Sequence, residues 1–162
     1  MVSEVAAAAA SLPPAGPSPP RLAALLAGLW AGALLAIGGL AAPAGFAVAP
    51  AEIAGRIAGR MFAAEAGLGL GIAVALLLLL RAHGRARQAA GAPGSLFGTD
   101  LVLLLAAVFC TVAGYYALQP MMAAARAGQP GPSFAVLHGA SAAAFGLKAL
   151  LVAALAWRLT RR

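Results

Sequence analysis

Acidic residues are scarce in this chain: four Asp and Glu stand among 162 residues, against eleven Lys and Arg. Charged residues of both signs make up 9% of the sequence, too little polar surface to coat a water-soluble domain. With 63% hydrophobic residues and a mean hydropathy of +0.95, lipid has to be the solvent. There is one cysteine, Cys110, so no intramolecular disulfide forms, and its place inside an apolar run gives it a packing role. The two histidines, His83 and His138, fall about 30 Å apart across the spans by helical rise, which disfavours a haem held by both. No nucleophile triad, phosphate-binding loop or paired-carboxylate pattern is present. The sequence therefore reads as non-enzymatic, with no cofactor.

What the chain has in abundance is long apolar runs. Residues 22–46, 57–80, 101–118 and 134–157 are each long enough to cross about 30 Å of hydrocarbon as a helix. The predicted fold is an all-α membrane protein, an up-and-down bundle of four transmembrane helices over residues 21–162. The net charge of +7 does not point to nucleic acid, because the arginines sit at the ends of the runs and are not interleaved with aromatics. Arg21, Arg81, Arg85, Arg87, Arg158, Arg161 and Arg162 fall on the face shared by both termini, and Arg56, Arg60 and Arg126 on the other. By the positive-inside rule, seven against three predicts both termini in the cytoplasm. Ten arginines against the single Lys148, with abundant Ala and Gly, indicate GC-rich coding and hence a bacterial inner membrane.

Residues 1–20, with Ala6 to Ala10 and five prolines, read as a disordered tail and not as a cleaved signal peptide. Pro43 is expected to kink or end the first helix. The pairs Gly28/Gly32, Gly55/Gly59 and Gly67/Gly71 have the spacing that seats a neighbouring helix. Pro50 to Glu52 open the second helix, where Glu52, Arg56 and Arg60 form a charged ridge. Residues 81–99 and 121–133 read as connections, and Asp100 as a cap near the start of the third helix.

Polar residues within the spans are few. Counting 1.5 Å per residue from the terminal arginines puts Glu65 about 24 Å above Arg81, and Ser141 and His138 about 26 and 30 Å above Arg158. Gln119 falls about 28 Å above Asp100. These four, bordered by Arg60, are expected to share a layer near the outer face, with His138, Ser141 and Lys148 on one stripe and Thr111, Tyr115 and Gln119 on another. An ionised Glu65 facing lipid is costly, so it should be protonated, hydrated, or paired with Arg60 or His138. Lys148, about 15 Å from Arg158, is nearly central, and no acidic residue falls clearly level with it. A structural contact to backbone carbonyls or a pocket is the simpler reading there, with a proton or anion contact as the other. Met61, Met121, Met122 and His138 are weak candidates for a soft metal such as copper(I), since they follow no fixed ligand spacing and methionines also pack as ordinary apolar residues.

Several segments also carry a family likeness: Leu29-Trp30-Ala31-Gly32, Ala42-Pro43-Ala44-Gly45-Phe46, Ala58-Gly59-Arg60-Met61-Phe62, Gln119-Pro120-Met121-Met122, and Phe134 followed by His138-Gly139-Ala140-Ser141. Together, over about residues 22–157, they resemble the bacterial branch of the transmembrane protein 205-like family. The resemblance implies a four-helix membrane protein with no established biochemical activity. It also singles out Arg60, Gln119, Pro120, His138, Gly139 and Ser141.

The leading expectation is a protein, as a homo-oligomer if it transports, that binds or passes a small solute, proton or metal ion through the outer polar layer. Glu65 and His138 would carry the charge, and Arg60, Gln119 and Ser141 would orient them. The rival is a structural or assembly subunit, and a cofactor-bearing redox protein is a third reading. Beyond the bilayer, the sequence names no partner.

Overall fold

The computed structural model describes residues 19–91 and 98–161. The expected tail lies outside them up to residue 18, as do Pro93, Gly94 and Arg162. The described residues are helical, with no strand among them. Helix α1 spans Pro19–Leu35 and runs through a π segment, Ala36–Ala41, into α2, Ala42–Val48. Helix α3 spans Ala51–Ala89. Helix α4, Thr99–Thr111, continues through a second π segment, Val112–Ala117, into α5, Leu118–Arg126, and α6 spans Phe134–Thr160. Four membrane-spanning candidates result: Pro19–Val48, Ala51–Ala89, Thr99–Arg126 and Phe134–Thr160.

The two prolines do not end their helices. Proline lacks an N–H and clashes with the carbonyl four residues back, here Gly39 for Pro43 and Tyr116 for Pro120. Each is preceded by a π segment whose wider turn accommodates the break, as when the Ala42 N–H reaches back to the Ile37 carbonyl. Of the two outcomes expected at Pro43, a kink or an end, the helix does not end: the span is continuous but irregular. The third span likewise runs eight residues past its expected end at residue 118, through Pro120 to Arg126. The two halves of the chain are built alike, each with a broken span followed by an unbroken one.

The 39 residues of α3 amount to about 58 Å of helix, well beyond the hydrocarbon thickness. Its expected stop at Arg81 is absent, and Gly84 alone does not break a turn otherwise rich in Ala and Arg. Pro50 precedes the helix as expected, with Glu52 in the first turn and Arg87 in the last, both favourable to the helix dipole. Glu52 and Arg56 pair at 2.6 Å, an exposed i,i+4 contact that does not extend to Arg60. Ser133 caps α6 by accepting the Val136 N–H. Asp100 is not the cap of α4: Gly98 holds that position, and the Asp100 carboxylate is turned into the bundle.

The first and third spans each pack against both the second and the fourth, so the second and fourth stand at opposite corners. The close approaches occur at single glycines. A Cβ on Gly38 would lie 2.5 Å from Phe145 Cε1, and one on Gly114 would lie 2.5 Å from Ala144 Cβ. Both glycines belong to π segments, and their neighbours are consecutive on α6, which is thereby keyed between the two broken spans. The paired glycines at 28/32, 55/59 and 67/71 have open space where a Cβ would be and seat no helix within this chain.

The continuous apolar core, including Ala27, Leu34, Leu76, Leu104, Val152 and Leu155, occupies mainly the half of the bundle nearer Pro19 and Arg161. That half is called proximal below. In the distal half, neither the first π segment nor α2 buries a residue.

Candidate functional site

Near the middle of the bundle, Lys148 on α6 donates from Nζ to Glu65 Oε2 on α3 at 2.6 Å. The contact runs corner to corner. Both residues are 3% exposed. The second carboxylate oxygen, Oε1, accepts the Trp30 indole N–H from α1 at 3.1 Å. One carboxylate thus ties three spans together, with each oxygen accepting one donor.

Local sequence explains the geometry. Gly69 is one turn from Glu65, and a Cβ there would meet Trp30 Nε1 at 3.0 Å and Glu65 Oε1 at 3.1 Å. Its missing side chain makes room for the indole. Lys148 has a further neighbour in the Phe145 ring, with Nζ 5.1 Å from the centroid, within cation–π range. Phe145 in turn meets Phe62 edge-on, centroids 5.0 Å apart at 82°.

Further polar contacts tie the spans. At the proximal end, Arg158 donates from Nε to Asp100 Oδ1 at 2.8 Å, with the Asp100 side chain buried and that of Arg158 42% exposed. Distal to the central pair, the Ser141 hydroxyl donates to the Gly114 carbonyl at 2.7 Å, joining α6 to the second π segment. Thr111 turns its hydroxyl back to the Ala107 carbonyl of its own helix.

The residues expected in a single outer layer are therefore separated. Glu65 pairs with neither Arg60 nor His138. Arg60 is exposed and lies five residues, about 140° around the helix, from Glu65. His138 is exposed and stacks on Phe134 at 5.6 Å and 12°, a ring also covered by the Arg126 guanidinium at 4.4 Å. It is ten residues, about 15 Å of helix, from Lys148. Gln119 and Ser141 are half-buried. Lys148, expected to lack an acidic residue at its level, has Glu65.

Of the metal candidates, Met122 is buried, Met121 exposed and Met61 half-buried, so the adjacent Met121 and Met122 face different surroundings. Among the described residues, no group of three or more His, Cys, Asp or Glu side chains is placed to hold a metal ion. A recess of about 110 Å³ at the distal end is lined by Met121, Ala124, Gln129 and Pro132 and holds no charged side chain.

Trp30, Phe62 and Phe145 complete the site without having been singled out as site residues by sequence reasoning. Trp30 carried a signal, since a buried indole N–H in an apolar span needs an acceptor. Phe62 stood in a segment of the family likeness, but nothing local marked either phenylalanine as a neighbour of the ion pair.

Residues 25–130 match the family described as "Domain of unknown function (DUF4149)". No curated protein and no solved structure matches the chain.

Proposed function

From the premise that this chain belongs to the DUF4149 family, a family defined without a function, we propose that it is a non-enzymatic, multi-pass membrane protein that exchanges a proton or another small ion at Glu65, Lys148 and Trp30. The observation that carries the reading is the buried ion pair. Desolvating two charges costs several kcal/mol per ion, and apolar residues of similar volume often serve stability as well or better. Ionisable groups within a membrane are by default functional, and Lys148 stands nearly midway along its span. In this reading Glu65 accepts the ion or proton, Lys148 balances its charge, and Trp30 orients the carboxylate. Gln119 and Ser141, both half-buried, line the approach from the distal end, with His138 and Arg60 outside it at the surface.

The distribution of arginines supports a topology with the proximal end in the cytoplasm, and their use in place of lysine supports a bacterial inner membrane. The segments around Trp30, Pro43, Arg60, Pro120 and His138 support placement near the transmembrane protein 205-like proteins.

The test is proton uptake into proteoliposomes carrying an internal pH-sensitive dye, under an imposed potassium diffusion potential. Uptake above protein-free vesicles, abolished by Glu65→Gln and retained by Arg60→Ala, is the expected result. Equal signals from wild type, Glu65→Gln and empty vesicles overturn proton exchange.

A second reading, a structural or assembly subunit, is favoured by the glycine pairs at 28/32, 55/59 and 67/71, which have open space at their Cβ positions. Cross-linking of the full chain in native membranes tests it, with a second copy of this chain as the simplest partner.

A further inference from the structure

The central ion pair is closed off unequally toward the two ends of the bundle. Phe62 stands one turn distal to Glu65 on α3, and Phe145 one turn distal to Lys148 on α6. The two rings meet edge-on, so they form a single aromatic layer over the pair. Lys148 Nζ touches the underside of that layer through the Phe145 ring. Proximal to the pair, the fully buried Leu76, Leu104, Val152 and Leu155 fill the interior. From Lys148 to Arg158 this seal is about 15 Å deep. Distal to the rings, Met122 and Leu137 are buried, but Met61, Gln119 and Ser141 are only half-buried and the first π segment and α2 bury no residue.

The seat of Phe145 is as unusual as its position. Its ring edge rests where Gly38 leaves out a Cβ, inside a π segment that bends around Pro43. The next residue back, Ala144, occupies the matching notch at Gly114 in the other π segment. Irregular backbone of this kind departs from the regular ladder and recurs at sites where helices change pitch or bind ligands. The ring is therefore held against one irregular turn, and the residue before it against the other.

We propose that Phe62 and Phe145 form a one-sided gate, whose opening admits distal water and small ions to Glu65 and Lys148 while the proximal core stays shut. The inference rests on the ion-exchange reading of that pair, and it sets the direction from which exchange occurs. Phe145 is the moving member, since it is only half-buried at the edge of the apolar core and its ring edge rests in the Gly38 notch. Phe62 is the stop against which it closes.

The experiment reads water access at the pair directly, without requiring transport. Trp30 and Trp157 are the two tryptophans, so Trp157→Phe in the full-length chain leaves Trp30, bonded to Glu65, as the sole indole reporter. Acrylamide quenching of Trp30 is measured in lipid vesicles for this background and for added Phe145→Ala, Phe62→Ala and Leu155→Ala. Truncating either ring opens space beside polar groups that water can fill, and should raise the quenching constant about twofold or more. Leu155→Ala removes bulk on the proximal side, where the cavity is apolar and stays dry, and should leave quenching unchanged. Phe145→Leu, which keeps most of the bulk and protects folding, should fall between wild type and Phe145→Ala. The gate is overturned if neither aromatic truncation raises quenching, or if Leu155→Ala raises it as much. A rise confined to the ring variants, with proton uptake absent from the wild type, would leave the gate standing and remove the proton-exchange reading.

Discussion

Removing Lys148 should cost more stability than removing Lys148 and Glu65 together. In Lys148→Met, the Glu65 carboxylate keeps the Trp30 N–H but loses its counter-charge in a site 3% exposed. In Glu65→Gln, the ammonium retains the Phe145 ring as its described neighbour, and Trp30 can still donate to the amide oxygen. Breaking a buried pair from one side costs about 3–5 kcal/mol, whereas replacing both charges is near neutral or favourable. The double variant Glu65→Gln/Lys148→Met retains an acceptor for Trp30 and leaves no net charge behind. It should be less destabilised than either single variant, with a coupling of about 2 kcal/mol or more. Reversible unfolding in mixed micelles, followed by circular dichroism, measures all four corners of the cycle. Additive losses, with the double variant as unstable as the sum of the singles, would refute the claim that the two charges answer each other.

Gly38→Ala and Gly114→Ala should each destabilise by about 1–3 kcal/mol in the same assay through overpacking, while Gly28→Ala stays near neutral because its Cβ meets open space. Phe145→Leu should restore part of the loss in Gly38→Ala. Asp100→Asn should cost less than Lys148→Met when unfolding is compared in low salt, because the Arg158 side chain left behind is 42% exposed and its charge remains hydrated. Ser141→Ala, removing a 2.7 Å hydrogen bond to the Gly114 carbonyl, should lower stability by about 0.5–1.5 kcal/mol. Reporter fusions placed after Arg87 and after Ala125 should give opposite signals with the former cytoplasmic, and a periplasmic signal at Arg87 would reverse the proposed topology.

Hydropathy alone made the four spans legible, and the chemistry of Pro50 made one helix start legible, because both signals are local. The level of Glu65 was not. Counting from Arg81 and Arg158 as if both marked the same membrane edge separates Glu65 and Lys148 by about 9 Å, yet they meet. Arg81 lies inside a helix that continues to Ala89, and packed helices tilt, so residue counts from the ends do not fix relative depth. Glycine spacing did not reveal the contacts within the chain, for a related reason. The regular pairs face outward, while the contacts fall on Gly38, Gly69 and Gly114, whose importance depends on Phe145, Trp30 and Ala144 arriving from elsewhere in the chain. Buried polarity was legible as residues but not as partners. Glu65, Lys148 and Ser141 all bond within the bundle, and His138 and Arg60, equally polar, remain at its surface.

The central bond also constrains how the protein is made. Glu65 and Lys148 are 83 residues apart, and ribosomes add about 5–20 residues per second, so the carboxylate is synthesised about 4–17 s before its partner. Until the last span emerges, the notches at Gly38 and Gly114 are empty and the acid has no ammonium. The first three spans are therefore an unfinished vessel, and the fourth both fills and neutralises it. A nascent chain arrested before Lys148 should be a substrate for membrane quality control, whereas the completed bundle closes itself.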